Sequence, residues 1–192
     1  MRTSKIARKT KETDVTVELN IDGTGCYDIN TDFKFFKHML EQFAYHSKFD
    51  LKINAQSLDG DEHHLVEDVA LALGSALKEA LNDKKGINRY GQFILPMDEA
   101  LVLSVVDLSG RMFSKLNLDI KEEKISDFST IMLCHFFNSL AQNALMTVHI
   151  KQLDGTDPHH IAEAVFKSFA RALSCAVRKG YDEEIPSTKG VL

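Results

Sequence analysis

The sequence predicts an α+β fold of two internally duplicated ββαβα halves, with two sheets packed with helices, and three observations carry that prediction. Apolar residues first alternate with period two and then recur at helical spacing, in the same order of elements in both halves. The segment LDGDEHHLVE (58–67) returns as LDGTDPHHIAE (153–163), placing His63 and His159 96 positions apart in a chain of 192. ELNIDG, ending at Gly23, is echoed by VVDLSG, ending at Gly110, 87 positions later. The second copy is thus about nine residues longer between its strands and its first helix, where the polar stretch 119–127 lies.

In the first copy, Val15, Val17, Leu19 and Ile21 alternate as a strand, Gly23-Thr24-Gly25 turn the chain, and residues 26–30 form a short return strand. A helix follows, with Phe35, Phe36, Met39, Leu40 and Phe43 on one face. Phe49, Leu51, Ile53 and Ala55 alternate again, and Val66, Val69, Ala70, Leu73 and Leu77 mark a long helix that ends near residues 83–86. The second copy repeats this with a strand at 101–107, a turn at Ser109-Gly110 and a return strand at 112–118. A helix near 126–145, a strand at 147–152 and a helix at 160–178 complete it. The expected organisation is a first half (1–86), a second half (87–180) and a tail (181–192) without periodicity, together one body.

Composition narrows the function. With 44% hydrophobic and 27% charged residues the chain reads as globular, and a net charge of −5 gives no electrostatic reason to expect a nucleic acid or an anionic membrane as partner. The apolar runs are strand-sized, too short to span a bilayer, and the basic amino terminus lacks the apolar stretch of a secretory signal. Cys26, Cys134 and Cys175 have no metal-binding spacing and read as reduced, mostly buried thiols of a cytoplasmic protein.

Six of the eight histidines fall in related places. Each long helix opens with His-His-x-x-Glu: His63, His64 and Glu67, then His159, His160 and Glu163. Residues four apart share a helix face, so His63 with Glu67, and His159 with Glu163, can grip one ion. His64 and His160 point about 100° away from their neighbours and suit a different ion. His38, in FFKHM, precedes His63 by 25 residues, and His135, in CHFFN, precedes His159 by 24. Together they give three imidazoles and one carboxylate for each of two ions, with positions left for substrate and water. Mixed imidazole and carboxylate ligation with open positions suits Mn(II), Fe(II) or Zn(II), and more than four ligands favours manganese over tetrahedral zinc. His149 reads as a structural histidine in an alternating strand, and His46 stays open between the two roles.

RKTKET (8–13), DGTG (22–25), FFKHML, HHLVED, PMDEAL (96–101), DLSGR (107–111), HHIAEAVFK and the terminal STKG, in this order, resemble the signature segments of the imidazoleglycerol-phosphate dehydratase family over almost the whole chain. Lys37, Asp32, Lys34, Leu65 and Asp157-Pro158 depart from the family pattern without removing a proposed ligand. The resemblance implies a ribosomal protein S5 domain 2-like fold. It also implies a lyase of histidine biosynthesis that dehydrates D-erythro-imidazole glycerol phosphate to imidazole acetol phosphate, at two Mn(2+) ions that hold the substrate as an imidazolate. Glu12 matches the family's proton-transfer carboxylate, Glu99 is its internal counterpart beside Asp98, and Glu67 and Glu163 join them as catalytic carboxylates. Arg89, Arg111, Lys167, Ser187, Thr188 and Lys189 match phosphate- and substrate-binding positions, with His38, His46, His63 and His159 beside them, and the tail becomes an active-site flap. The resemblance further implies a cytoplasmic homo-oligomer of about 24 subunits in closed symmetry. Two other classes compete on the residues alone: a dinuclear metal hydrolase acting on a phosphate ester, and a metal-binding protein without turnover.

Overall fold

The computed structural model describes residues 1–180 and 183–192. In chain order the first half contains β1 (Thr3–Lys9), β2 (Thr13–Asn20), β3 (Tyr27–Thr31), α1 (Lys34–Ser47), β4 (Asp50–Ser57) and α2 (Glu62–Leu81). The second contains β5 (Tyr90–Met97), β6 (Ala100–Asp107), β7 (Phe113–Asn117), β8 (Lys124–Ile125), β9 (Phe128–Ser129), α3 (Ile131–Ala144), β10 (Thr147–Asp154) and α4 (Pro158–Val177). The ββαβα order is present twice, and each copy is preceded by a further strand, β1 or β5, paired antiparallel with β2 or β6. The sheets have matching orders, β1-β2-β4-β3 and β5-β6-β10-β7. The short strands after the turns do not fold back on their predecessors. β3 runs parallel to β4 and β7 parallel to β10, with α1 and α3 in the long connections that parallel pairing requires.

Alternation decides which face of each sheet is covered. Val15, Val17 and Leu19 of β2 lie opposite Ala55, Ile53 and Leu51 of β4, and all six are buried. Helix α2 packs on β1 and β2, and α4 on β5 and β6, while the helices pair across the halves: α1 against α4, α2 against α3. Gly74 makes the α2–α3 approach possible, since a Cβ there would lie 2.7 Å from the Leu140 carbonyl oxygen. Aromatic contacts bind the halves through the interior, Phe43 on Phe169 (6.0 Å between centroids) and Phe36 on Phe136 (5.7 Å).

The inserted stretch of the second copy forms the β8–β9 ribbon, so α3 begins at Ile131 and not near 126, where Ser126 turns with a φ of 55°. The ribbon also serves the first half. Phe33 cannot cap α1, and the Asp127 carboxylate accepts from the Lys34 and Phe35 N–H groups (2.7 and 2.9 Å), satisfying the helix start from outside. The expectation of mostly buried cysteines is corrected: all three are free, but Cys26 and Cys134 are exposed, one at the start of β3 and one on the outward face of α3. In the tail, Tyr181 and Asp182 lie outside the described residues. No described helix is long and apolar enough to cross a membrane.

Candidate metal and substrate site

Both histidine pairs stand in the first turn of a long helix because an aspartate two residues earlier caps it. Asp61 accepts from the His63 N–H (2.8 Å), and Asp157 from those of His159 and His160 (2.8 and 3.3 Å), with Pro158 in the first turn. Adjacent positions then diverge, and each pair faces two environments.

The inward members meet the third histidine of the opposite half. His38, on α1, brings Nε2 to 3.3 Å from Glu163 Oε1 on α4, and His159 Nε2 lies 3.8 Å from Glu163 Oε2. His38, His159 and Glu163 offer ligand atoms that all lie within 4.8 Å of one another. In the pseudo-equivalent place, His135 of α3 lies 4.4 Å, ring to ring, from His63 of α2, whose Nε2 is 3.9 Å from Glu67 Oε2. The first three donors converge as metal ligands must. Glu163 is buried, which pushes its carboxyl up, yet Lys167 at 3.1 Å and the imidazoles of His38 and His159 bring it net below the usual carboxylate range. It is therefore ionised and ready to ligate.

The outward members meet carboxylates. His64 Nδ1 is 2.7 Å from Asp59 and 3.9 Å from Glu12, which sits in the β1–β2 loop. His160 Nδ1 is 2.7 Å from Glu99, and its Nε2 is 3.6 Å from Asp98, both in the β5–β6 turn. The hydrogen bonds to Asp59 and Glu99 raise the affinity of the two imidazoles for protons. The His160 hydrogen bond and backbone N–H groups lower Glu99 to about 2.

His46 stands two turns beyond His38 on α1. Burial, then Lys167 and Arg171 of α4, lower its proton affinity. Arg171, whose guanidinium lies over the Phe93 ring, is absent from the sequence-derived set, although Glu163, Lys167 and Arg171 at i, i+4 and i+8 share one helix face. Asp59 was missed as well, because nothing in LDGD announces that the loop folds back on the helix it precedes. His149 lies apart from both groups, exposed on β10 with the Phe113 ring 5.3 Å away.

Apart from Lys167, which sits beside Glu163, the proposed phosphate ligands gather elsewhere. Arg89 holds Asp107 (2.7 Å) and the Pro186 carbonyl (2.9 Å), Ser187 accepts from the Lys189 N–H, and Arg111 reaches the Ser109 carbonyl at the turn after β6. Exposed Thr188 and Lys189 belong to the same tail, whose Leu192 backbone packs on Gly110. Asp107 and Glu99 lie at opposite ends of β6, which at about 3.3 Å per residue are more than 20 Å apart. Among the described residues of one chain, His160 beside Glu99 and the tail beside Arg89 therefore do not meet.

A family model of imidazoleglycerol-phosphate dehydratase matches residues 31–173. A protein of that description from Ruegeria sp. (strain TM1040) is 49% identical over 197 residues, with all of both chains covered. Among solved structures, that from Pyrococcus furiosus aligns with a TM-score of 0.86 at 40% identity, covering 97% of this chain and all of the other. The Staphylococcus aureus structure gives 0.84 at 36% identity, covering 92% of this chain and 99% of the other.

Proposed function

The chain belongs to the imidazoleglycerol-phosphate dehydratase family, and from that premise we propose that it removes water from imidazole glycerol phosphate at a dinuclear manganese site. It is a hydro-lyase of histidine biosynthesis. The observations that carry the dinuclear reading are the convergent His38–His159–Glu163 group and, in the pseudo-equivalent place, His135 beside His63 and Glu67, each completed by a histidine from the opposite half.

Imidazole nitrogens and an inward-facing carboxylate suit manganese, and three protein donors leave positions for further ligands. His38, His159 and Glu163 would hold one ion, and His63, His135 and Glu67 the other. When bound, such ions lower the N–H pKa of an attached imidazole and stabilise its anion. The chain's own residues do the rest. Glu12 is exposed and more than hydrogen-bond distance from His64, so its carboxylate is free to take the proton from the middle carbon of the substrate's chain as the hydroxyl leaves the carbon attached to the ring. Arg111 and Lys189 supply charge for the phosphate, and Ser187 and Thr188 add hydroxyl donors. Arg89 anchors the tail that carries them.

A three-carbon chain between ring and phosphate cannot span the length of β6. We therefore read the site as shared: the tail and Arg111 of one copy close over the histidines of another, and His64 and His160 reach ions held by neighbouring copies. The second sheet supports self-association, since Tyr90, Ile94 and Phe113 stand exposed on its outer face while the first sheet presents Lys5–Glu18 and Lys52–Asp28 pairs. A closed assembly of about 24 subunits would satisfy every copy alike. Three free thiols fit a cytoplasmic setting.

The test is a product assay after manganese reconstitution with imidazole glycerol phosphate as substrate. The expected product is imidazole acetol phosphate, with no phosphate released. Phosphate release would instead make the protein a hydrolase, and metal uptake without turnover a binding protein.

A further inference from the structure

The two halves hold their outward histidines with carboxylates that are not repeat counterparts. In the first half, Asp59 Oδ2 meets His64 Nδ1 at 2.7 Å, while Asp59 Oδ1 accepts from the Asp61 N–H at 2.9 Å. The repeat counterpart of Asp59 is Asp154, but Thr156 is an extra residue before the cap, and the Asp154 carboxylate turns to its neighbouring Gly155 N–H (2.8 Å). Its place is taken by Glu99, whose Oε2 meets His160 Nδ1 at 2.7 Å and whose Oε1 accepts from the Asp157 and Thr156 N–H groups (2.8 and 3.3 Å). Glu99 is the counterpart of Glu12, 87 positions on, yet Glu12 stands 3.9 Å from His64.

Resting on the metal reading above, we infer that Asp59 and Glu99 are equivalent positioning residues, each holding the proton of its histidine on Nδ1 so that Nε2 is presented as a bare ligand. An ionised carboxylate only accepts, so the facing Nδ1 must carry hydrogen and, in the neutral ring, Nε2 must not. The duplicated glutamates have consequently parted in role. Asp59 has released Glu12 for proton transfer, whereas Glu99 has both oxygens engaged and serves as an anchor. This removes Glu99 from the catalytic carboxylates expected of the sequence.

Amide substitution tests this without changing volume. In each carboxylate one oxygen is held by backbone N–H groups, so Asp59→Asn or Glu99→Gln must turn its NH2 toward the histidine. That group donates, which forces the ring proton onto Nε2 and blocks the ligand. With 15N-labelled histidine and chelator-stripped protein, at a pH where the rings are neutral, one histidine is expected to move its proton from Nδ1 to Nε2 in each variant. Titration with manganese, followed by the electron paramagnetic resonance of the free ion, is expected to show affinity weakened about 10- to 100-fold. Asp154→Asn is expected to bind as the wild type does. Unchanged tautomers would overturn the inference. So would a Glu99→Gln protein that binds manganese normally and loses turnover as a Glu12 variant does, because Glu99 would then be a proton carrier. A wild type that binds no manganese would instead remove the metal reading, while the tautomer shift would still be read in the stripped protein.

Discussion

Glu12 lies in a loop, half exposed, and makes no hydrogen bond to the histidine beside it, so replacing it by glutamine disturbs neither packing nor a ligand. Glu12→Gln is expected to keep its manganese content and melting behaviour and to lose turnover by about 100-fold or more. Wild-type turnover in a fully loaded variant would remove the residue from the chemistry. Arg111 offers the complementary case. Among the described residues its guanidinium holds only a backbone carbonyl, at 3.4 Å, which leaves most of its donors for a phosphate. Arg111→Ala is expected to raise KM for the phosphorylated substrate with metal affinity unchanged. Equal weakening for a dephosphorylated analogue would show that the arginine does not read phosphate. The six histidines proposed to bind metal stood out because a short motif is written twice, each with an upstream histidine. Asp59 did not, since its role depends on a loop folding back two residues before a helix cap.

Among the elements, the strands β1 and β5 escaped the hydrophobic pattern for physical reasons. Both are edge strands. Thr3–Lys9 carries lysines and an arginine, and Tyr90–Met97 carries Pro96 and an outward-facing Ile94, so neither shows clean alternation. The alternation of β2, β4 and β6 was plain because one face of each is buried against helices. What the period could not reveal was that β3 and β7 cross over, since a strand's face pattern says nothing about which neighbour it pairs with. In the second half β5 and α4 approach closely, since a Cβ on Gly91 would lie 1.9 Å from the Ala172 carbonyl oxygen. Gly91→Ala is expected to cost about 1–3 kcal/mol by forcing strand and helix apart. Thermal melts at fixed protein and manganese concentration would check it, and an unchanged midpoint would mean that the pair has slack.

At the level of the whole molecule, one chain brings His38, His159 and Glu163 together but holds the proposed phosphate ligands of the tail away from the Glu99 end of β6. Were ligands shared between copies, as proposed, they would tie assembly to metal, because an ion that binds only the assembled state stabilises that state by mass action. Stripping manganese with a chelator is expected to abolish activity and shift the protein to smaller species, with both restored on adding the metal back. Light scattering decides the point: a stripped protein that is inactive but full-sized would confine the ions to catalysis. The sequence displayed the duplication but not this division, because a repeat offset fixes which residues correspond and not how far apart they stand.

The pairing of α1 with α4 and of α2 with α3 also imposes an order in time. When the ribosome has delivered the first half, His38 waits alone and His63 has only Glu67. His135 arrives with α3, and His159 and Glu163 arrive with α4, the last helix made. On the proposed ligand sets, neither cage would be complete before the second half is made, the His63–His135–Glu67 set with α3 and the His38–His159–Glu163 set with α4, so a chain grown only through its first half would not fix metal. Manganese is therefore expected to slow unfolding while leaving the rate of refolding unchanged, as interactions absent from the transition state do. Stopped-flow measurements on chelated and loaded protein would show it, and faster refolding with manganese would mean that the cage closes before the halves have packed.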